Sequence, residues 1–302
     1  MTSLPFAALP HRGVLQVEGD DARTFLQGLV SNDVQRVTPE RAIWAAFLTP
    51  QGKYLHEFFC CQRGDALLLE GERERLADLK RRLSMYRLRS RVTLTETGDG
   101  FSVWAVFGDG AAAAFGLPAD DPGSATPLGA GVAFVDPRLP DVGVRIVAPG
   151  EETPALLAAR GCRSADLADY DRLRIGLGLP DGSRDLAVDK SLPLECGFDE
   201  LHGVDWQKGC YLGQELTARM RYRGLVRKRL LPALVEGPLP APGTPVMQGE
   251  KDVGEVRSGI DGLALAVLRL EALEDAGADG APAPMQAGGA RLTPRRPAWA
   301  VF

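Results

Sequence analysis

The stretch WQKGCYLGQELTARMRYRG, residues 206–224, marks a change of texture that decides the fold class. Before it, strand-like and helix-like spacings are mixed. GDDARTFLQGLVSNDV (19–34) reads as a helix capped by Asp20 or Asp21, with Phe25, Leu26, Leu29 and Val30 on one face. IWAAFLTPQGKYLHEFFC (43–60) reads as a hairpin that turns at Thr49-Pro50-Gln51-Gly52. The charged run 72–83 reads as a helix, and RVTLTE, FSVWAVFG and VGVRIVAP read as strands. ADLADYDRLRIGLG (165–178) is a further helix that ends at glycines, and the polar segment 179–206 reads as a long functional loop. After Gly224 come short runs, among them VRKRLLPALVEG, KDVGEVRSG and GLALAVLRL, parted by Gly and Pro as in a small β-barrel. GAPAPMQAGGA (280–290) reads as an exposed loop. The expectation is an α+β protein, with residues 1–225 forming an α+β region and residues 226–302 an all-β module.

The 302 residues are enough for two or three modules with sizeable cores. A net charge of −5 gives no overall basic footprint, so nucleic acid is not an expected partner. Charge is uneven, however. Residues 71–91 are rich in Arg, and residues 219–229 are basic without a single acid. Solvated helix faces explain such patches, and so do an acidic partner or an anionic small molecule. No apolar run approaches the roughly 20 residues of a membrane span, so no membrane is expected. The first residues, MTSLPFAALPHRG, show neither an apolar signal core nor an Arg-rich amphipathic leader, and a cytoplasmic location is expected.

Five cysteines, Cys60, Cys61, Cys162, Cys196 and Cys210, follow no disulfide framework and no zinc-like spacing. Cys60 and Cys61 end a strand, Cys162 follows a helix, and Cys196 sits beside Leu194 and Phe198, all settings for inert buried thiols. Cys210 stands apart. It lies between Gly209 and the helix-forming run from Leu212, with the cations Lys208 and Arg219 in reach. A helix N-terminus and nearby cations favour the thiolate, the form that reacts or ligates. A small buried hydrophobe is the other reading of the same residue. Arg219, Arg221 and Arg223 alternate, so on an extended chain they point one way and suit an anion, or else form a charged strand edge. His202 is a candidate base for a nucleophilic Cys210, and His56 is a packing or surface residue.

KGCYLGQE (208–215) closely resembles the KGCYxGQE signature of the YgfZ family of folate-binding iron–sulfur assembly proteins, relatives of the glycine-cleavage T-protein. FLQGLVSNDV, AAFLTPQGKYL, YRLRSRV, RIGLGLP, LPLE, ELTARMRYRG and GEVRSG occur in family-like order, so the resemblance spans essentially the whole chain. It looks most like the branch of the mitochondrial factor for late [4Fe–4S] assembly. The resemblance implies a three-part, ring-like T-protein fold with a C-terminal β-barrel and a tetrahydrofolate site. It implies that Cys210 is the functional residue and a cluster ligand shared with a partner. The implied partners are A-type scaffold proteins and [4Fe–4S] client apoproteins. By position, Tyr170 and the Arg12 region match folate-contacting places, and Arg174, Glu195, Lys208, Gln214, Arg219 and Arg223 are the further expected ligand-binding residues. Gly176 stands where the T-protein pattern has a pterin-reading glutamate, and Glu195 is the candidate substitute. A tetrahydrofolate-dependent aminomethyl or one-carbon transferase is the alternative function.

Overall fold

Alternating side chains give the first strands two buried faces, and those two faces have different partners. In the computed structural model, which describes residues 3–274 and 284–302, the chain divides into two units. The first comprises Met1–Tyr170 and Leu201–Gln214, the second Asp171–Glu200 and Glu215–Phe302. In the first unit the hairpin forms as expected. Strands Ile43–Leu48 and Tyr54–Arg63 pair antiparallel, and the Thr49 carbonyl accepts from the Gly52 amide at 2.8 Å across the turn. Ala66–Glu72, Arg12–Glu18 and Thr93–Glu96 complete a five-stranded sheet in that order. A six-stranded sheet runs Cys162–Ser164, Leu4–Ala8, Ser102–Val106, Val144–Ala148, Gly131–Val135, Ala125–Leu128. Only its first pair is parallel.

One face of the five-stranded sheet carries Leu15, Phe47, Phe58 and Leu69. It packs against α1 (Ala22–Gln27) and α2 (Leu76–Tyr86) through Phe25, Leu26, Leu79 and Leu83. The opposite face is polar yet equally dry. Arg12 pairs there with both Glu57 and Glu70, and Trp44 Nε1 donates to Glu57 at 2.6 Å. From the six-stranded sheet Arg145 reaches Glu70 at 2.9 Å and donates to the Tyr170 hydroxyl at 2.8 Å. Arg138 closes on Asp136 at 2.8 Å. Three guanidiniums and three carboxylates balance in charge, and Phe59 lies 4.0 to 5.7 Å from all three guanidinium carbons. Burial alone would raise the Asp136 carboxyl; Arg138 and Arg145 outweigh it and hold it below the ordinary range.

Two further helices follow in the chain, α3 (Thr153–Ala159) and α4 (Leu167–Gly176). In the second unit the strands Lys228–Glu236, Leu263–Arg269, Lys251–Ile260, Pro245–Gln248, Met285–Ala287 and Ala290–Pro294 close into a barrel in that order. The polar segment that follows α4 holds only short 3-10 turns, and Arg174 fastens it to the barrel. Its guanidinium donates to Asp171 at 2.6 Å, Asp185 at 2.8 Å and Ser258 at 3.1 Å. Gly178 is required nearby: its φ is +78°, and a Cβ would lie 2.8 Å from Pro297 Cγ and 3.1 Å from Pro232 Cδ.

Several expectations from sequence change. The helix expected over 19–34 is only α1, because Gly28 ends it and the Ser31 amide turns outward to donate to Ala46 O on the neighbouring strand. Asp21 makes no side-chain cap; its carboxylate accepts from the Arg91 amide instead. Arg219 and Arg221 do not lie on an extended strand, since both fall within α5 (Gln214–Tyr222), and Arg223 is in the turn that follows it. Of the expected loop 280–290, residues 280–283 lie outside the described residues. The remainder includes the paired strands Met285–Ala287 and Ala290–Pro294.

Replacing Glu70 by glutamine keeps the side chain's shape but leaves Arg12 and Arg145 sharing too little negative charge. Glu70→Gln is expected to lower the unfolding free energy by about 3–5 kcal/mol, read from the denaturation midpoint. A loss under about 1 kcal/mol would contradict the placement of that carboxylate.

Candidate functional site

Cys210 lies on the loop Leu201–Gln214, which belongs to the first unit, and that loop is stitched to the end of α1. The Asp205 amide donates to Ser31 O at 3.0 Å, and Ser31 Oγ returns a bond to Gly203 O at 2.6 Å. Asn32 Nδ2 donates to both Trp44 O and His202 O at 2.7 Å. Lys208 Nζ donates to Gln27 O at 2.7 Å, a carbonyl that α1 leaves unpaired at its C-terminus, and to Val30 O at 2.5 Å in the segment just beyond it. The Leu212 amide reaches Gly28 O at 3.1 Å. FLQGLVSNDV and KGCYLGQE, far apart in sequence, are therefore one structure.

Gly213 closes the far end of the loop against the hairpin turn. Its φ is +82°, and a Cβ there would strike Thr49 O and sit 3.0 Å from Leu48 Cβ. Gln214 Oε1 accepts from the Tyr211 amide at 3.1 Å, ordering the turn before α5. Cys210 is held between these two anchors with its side chain exposed. Sequence placed it on or just before the first turn of a helix; it lies before that turn, four residues ahead of Gln214, where α5 starts.

Exposure separates this thiol from the other four, all of which are buried. Burial pushes Cys60 and Cys196 up to about 12, and raises Cys61 and Cys162 as well. Those four are held in the neutral, unreactive form. Lys208 is affected in the opposite sense. Burial lowers its ammonium from the usual 10.5 to about 8, against the opposing pull of Asp33 and Asp205. Among the described residues, no group of three or more His, Cys, Asp and Glu side chains is placed to hold a metal ion.

The other residues singled out from sequence are dispersed. Tyr170 is 1% exposed, with its hydroxyl taken by Arg145, and Arg12 is part of the same buried network. Arg174 is 1% exposed and bound to Asp171, Asp185 and Ser258. Glu195 is half-buried, and burial raises its carboxyl against the pull of Lys228 and Arg229. In α5, Arg219 pairs with Glu215 at 2.7 Å, and Arg223 lies in the turn just past the helix, where its amide donates to Arg219 O at 3.1 Å. Arg221 turns elsewhere, to Asp199 at 3.6 Å. His202 has φ +59° and an exposed side chain, and no hydrogen bond joins its imidazole to Cys210 among the described residues. His56 is a packing residue, buried and 3.0 Å from Asp78. Gln27, Ser31 and Asn32, which fasten the cysteine loop, were not singled out from sequence; their signal is a group of polar side chains inside FLQGLVSNDV, an otherwise apolar string.

This arrangement of sheets and barrel is the fold of the glycine-cleavage T-protein. The chain superposes on the glycine cleavage system aminomethyltransferase T from Bartonella henselae with a TM-score of 0.75, over 96% of this chain and 84% of that one, at 16% identity. Residues 227–302 match the family described as CAF17, C-terminal beta-barrel domain. The chain is 36% identical over 292 residues to the mouse iron-sulfur cluster assembly factor IBA57, mitochondrial, covering 88% of this chain and 78% of that one. The human protein of that name is 34% identical over 284 residues, with the same coverages. The homolog from Neosartorya fischeri is 32% identical over 317 residues, covering 89% of this chain and 71% of that one. The chain belongs to the IBA57 family. The resemblance read as YgfZ holds at the level of this broader group, but the relatives carry the name of the mitochondrial factor rather than of the bacterial protein. Those names also correct the cytoplasmic expectation, which rested on a few residues at the start of the sequence.

The depressed Lys208 gives a test of how the loop is held. In the folded chain the amine loses its proton near pH 8, and in the unfolded chain only above about 10. Between those values the unfolded chain binds more protons, so stability contributed at this site rises with pH. The neutral amine still has two N–H groups for the two carbonyls. The melting temperature of wild type minus that of Lys208→Met is expected to become more positive from pH 7.5 to 9.5. A difference that is flat or falls would contradict the burial of this ammonium.

Proposed function

We propose that this chain is an iron–sulfur cluster assembly factor that uses Cys210 as one ligand of a cluster it holds jointly with a partner protein. The observation that carries the reading is the exposed thiol on a loop anchored at both ends, beside four cysteines locked away in cores. A cluster takes about four cysteine-type ligands, and one thiolate supplies one of them. The cluster is therefore cargo, and the remaining ligands come from the partner. An A-type scaffold is the partner in this reading, and [4Fe–4S] apoproteins are the recipients. The anchored loop serves that task physically, because a ligand with little freedom to lose binds at a lower entropic cost.

Tetrahydrofolate, the other ligand expected of this fold, does not fit Tyr170 and Arg174 as they are placed here. Their polar atoms are already committed to Arg145, Asp171, Asp185 and Ser258, and breaking a buried ion pair strongly disfavours the change. Gly176 is exposed and offers no carboxylate. Glu195 keeps a half-buried carboxyl that burial biases toward its neutral, donor form. The function proposed here has no step through folate.

Reconstitution tests this directly. Iron, sulfide and an A-type scaffold are incubated with wild type or Cys210→Ser, each with and without tetrahydrofolate, and the cluster absorption of the isolated complex is measured. Wild type is expected to yield a stable coloured complex irrespective of folate, and Cys210→Ser to lose at least about tenfold of it, the scale of losing a cluster ligand. An equal yield from Cys210→Ser would remove Cys210 from the role.

A further inference from the structure

After α2 the chain does something costly at the surface. Leu88 has φ +45°, a backbone region that a leucine rarely enters, and its side chain is 89% exposed. Met85, three residues earlier, is 58% exposed, and Tyr86 between them is also partly exposed. One exposed leucine needs no explanation, but three adjacent apolar groups, one held out by a strained backbone, form a patch. The charges around it are nearly all accounted for. Arg81 and Arg82 share Asp78, Lys80 faces Glu96, and Arg91 meets Asp20 and Asp21. Among the described residues, the Arg87 side chain donates to the Val92 carbonyl at 3.5 Å and makes no ion pair, and Arg89 makes no ion pair. Two exposed cations thus flank the exposed leucine, on a chain whose net charge is −5.

The position of this patch matters as much as its chemistry. The Tyr86 ring stands edge-on to Phe47, with ring centroids 6.1 Å apart. Phe47 is bridged to Val30, whose carbonyl accepts from Lys208, two residues before Cys210. The next residue on the same strand, Leu48, packs against Gly213, three residues after Cys210. The strand Ile43–Leu48 therefore supports both the Met85–Arg89 patch and the cysteine loop.

We infer that the segment from Met85 to Arg89 is a docking element for an acidic protein surface, which takes Leu88 into an apolar pocket and meets Arg87 and Arg89 with carboxylates. The inference rests on the function proposed above, since it assigns this contact to the protein that supplies the other cluster ligands. Charge complementarity favours that occupant. This chain's own net charge is −5, so an acidic surface approaches it productively only where a basic patch steers it into register, and a buried apolar anchor then slows dissociation.

Binding of a metal-free A-type scaffold to the full chain, followed by calorimetry, tests the element apart from the ligand. Leu88→Asp and the double variant Arg87→Glu/Arg89→Glu are each expected to raise Kd at least tenfold. Leu88→Gly relieves the strained φ, so it is expected to keep or raise the melting temperature while still weakening binding; this separates docking from folding. Cys210→Ser is expected to keep metal-free binding within about twofold while losing the cluster. If Leu88→Asp and Leu88→Gly bind like wild type, the docking element is overturned, whatever Cys210→Ser does to the cluster. If Cys210→Ser retains the cluster while the Leu88 variants lose docking, the ligand assignment falls and the docking element stands. Leu88-dependent binding to phosphatidylcholine vesicles containing phosphatidylserine, with scaffold binding unaffected by the same substitutions, would assign the patch to a lipid surface and overturn the proposal.

Discussion

Three arginines and three carboxylates buried in the first unit have to be satisfied together, because each one taken alone would be an uncompensated charge in a dry interior. Their geometry reaches further than their own contacts. Glu57 holds Arg12 with one oxygen and the Trp44 indole with the other, and so fixes the strand that carries Trp44. The carbonyl of that same tryptophan accepts from Asn32, whose amide also grips His202 in the cysteine loop. A path of hydrogen bonds thus runs from the buried ion network through one strand to the segment that presents Cys210. The exposed thiol's loop is tied by hydrogen bonds to the least exposed part of the unit.

The function follows from what that rigid presentation offers and what it withholds. It offers one thiol to the surface, next to a strand that also supports an apolar, basic patch. Among the described residues it does not offer a group of metal-ligating side chains around that thiol. A self-contained enzyme site would bring acid, base and nucleophile together. Here His202 and Cys210 share a loop without a bond, and Tyr170 and Arg174 are occupied in holding the fold.

The fold was largely readable from sequence because its signals are local. The Thr49-Pro50-Gln51-Gly52 turn, the glycine- and proline-parted strands after Gly224, and the long aperiodic segment after α4 each declare themselves within a few residues. The setting of Cys210, an exposed thiol on a short loop, was readable because its surrounding motif is contiguous. Features that depend on distant partners were not readable. Arg12 and Tyr170 look like ligand contacts until Glu57, Glu70 and Arg145 are brought beside them. Arg219, Arg221 and Arg223 alternate as a strand would, yet Glu215 and its following residues carry the stretch into a helix. Lys208 reads as a cation free to attend the thiol, and the fold uses it to cap α1. For Arg12, Tyr170 and Lys208, a polar side chain was already claimed by a partner elsewhere in the sequence.

The central claim, that Cys210 binds the cluster, is a claim about one bond. This chain can be prepared with ¹³C at the cysteine β-carbons and assembled with an unlabelled partner and a cluster reduced to its paramagnetic state. Electron–nuclear double resonance then reports whether any labelled carbon is bonded through sulfur to iron. A ¹³C coupling that is present in wild type and vanishes in Cys210→Ser is the predicted result. A paramagnetic cluster in the complex that shows no coupling to this chain's cysteines would contradict the account.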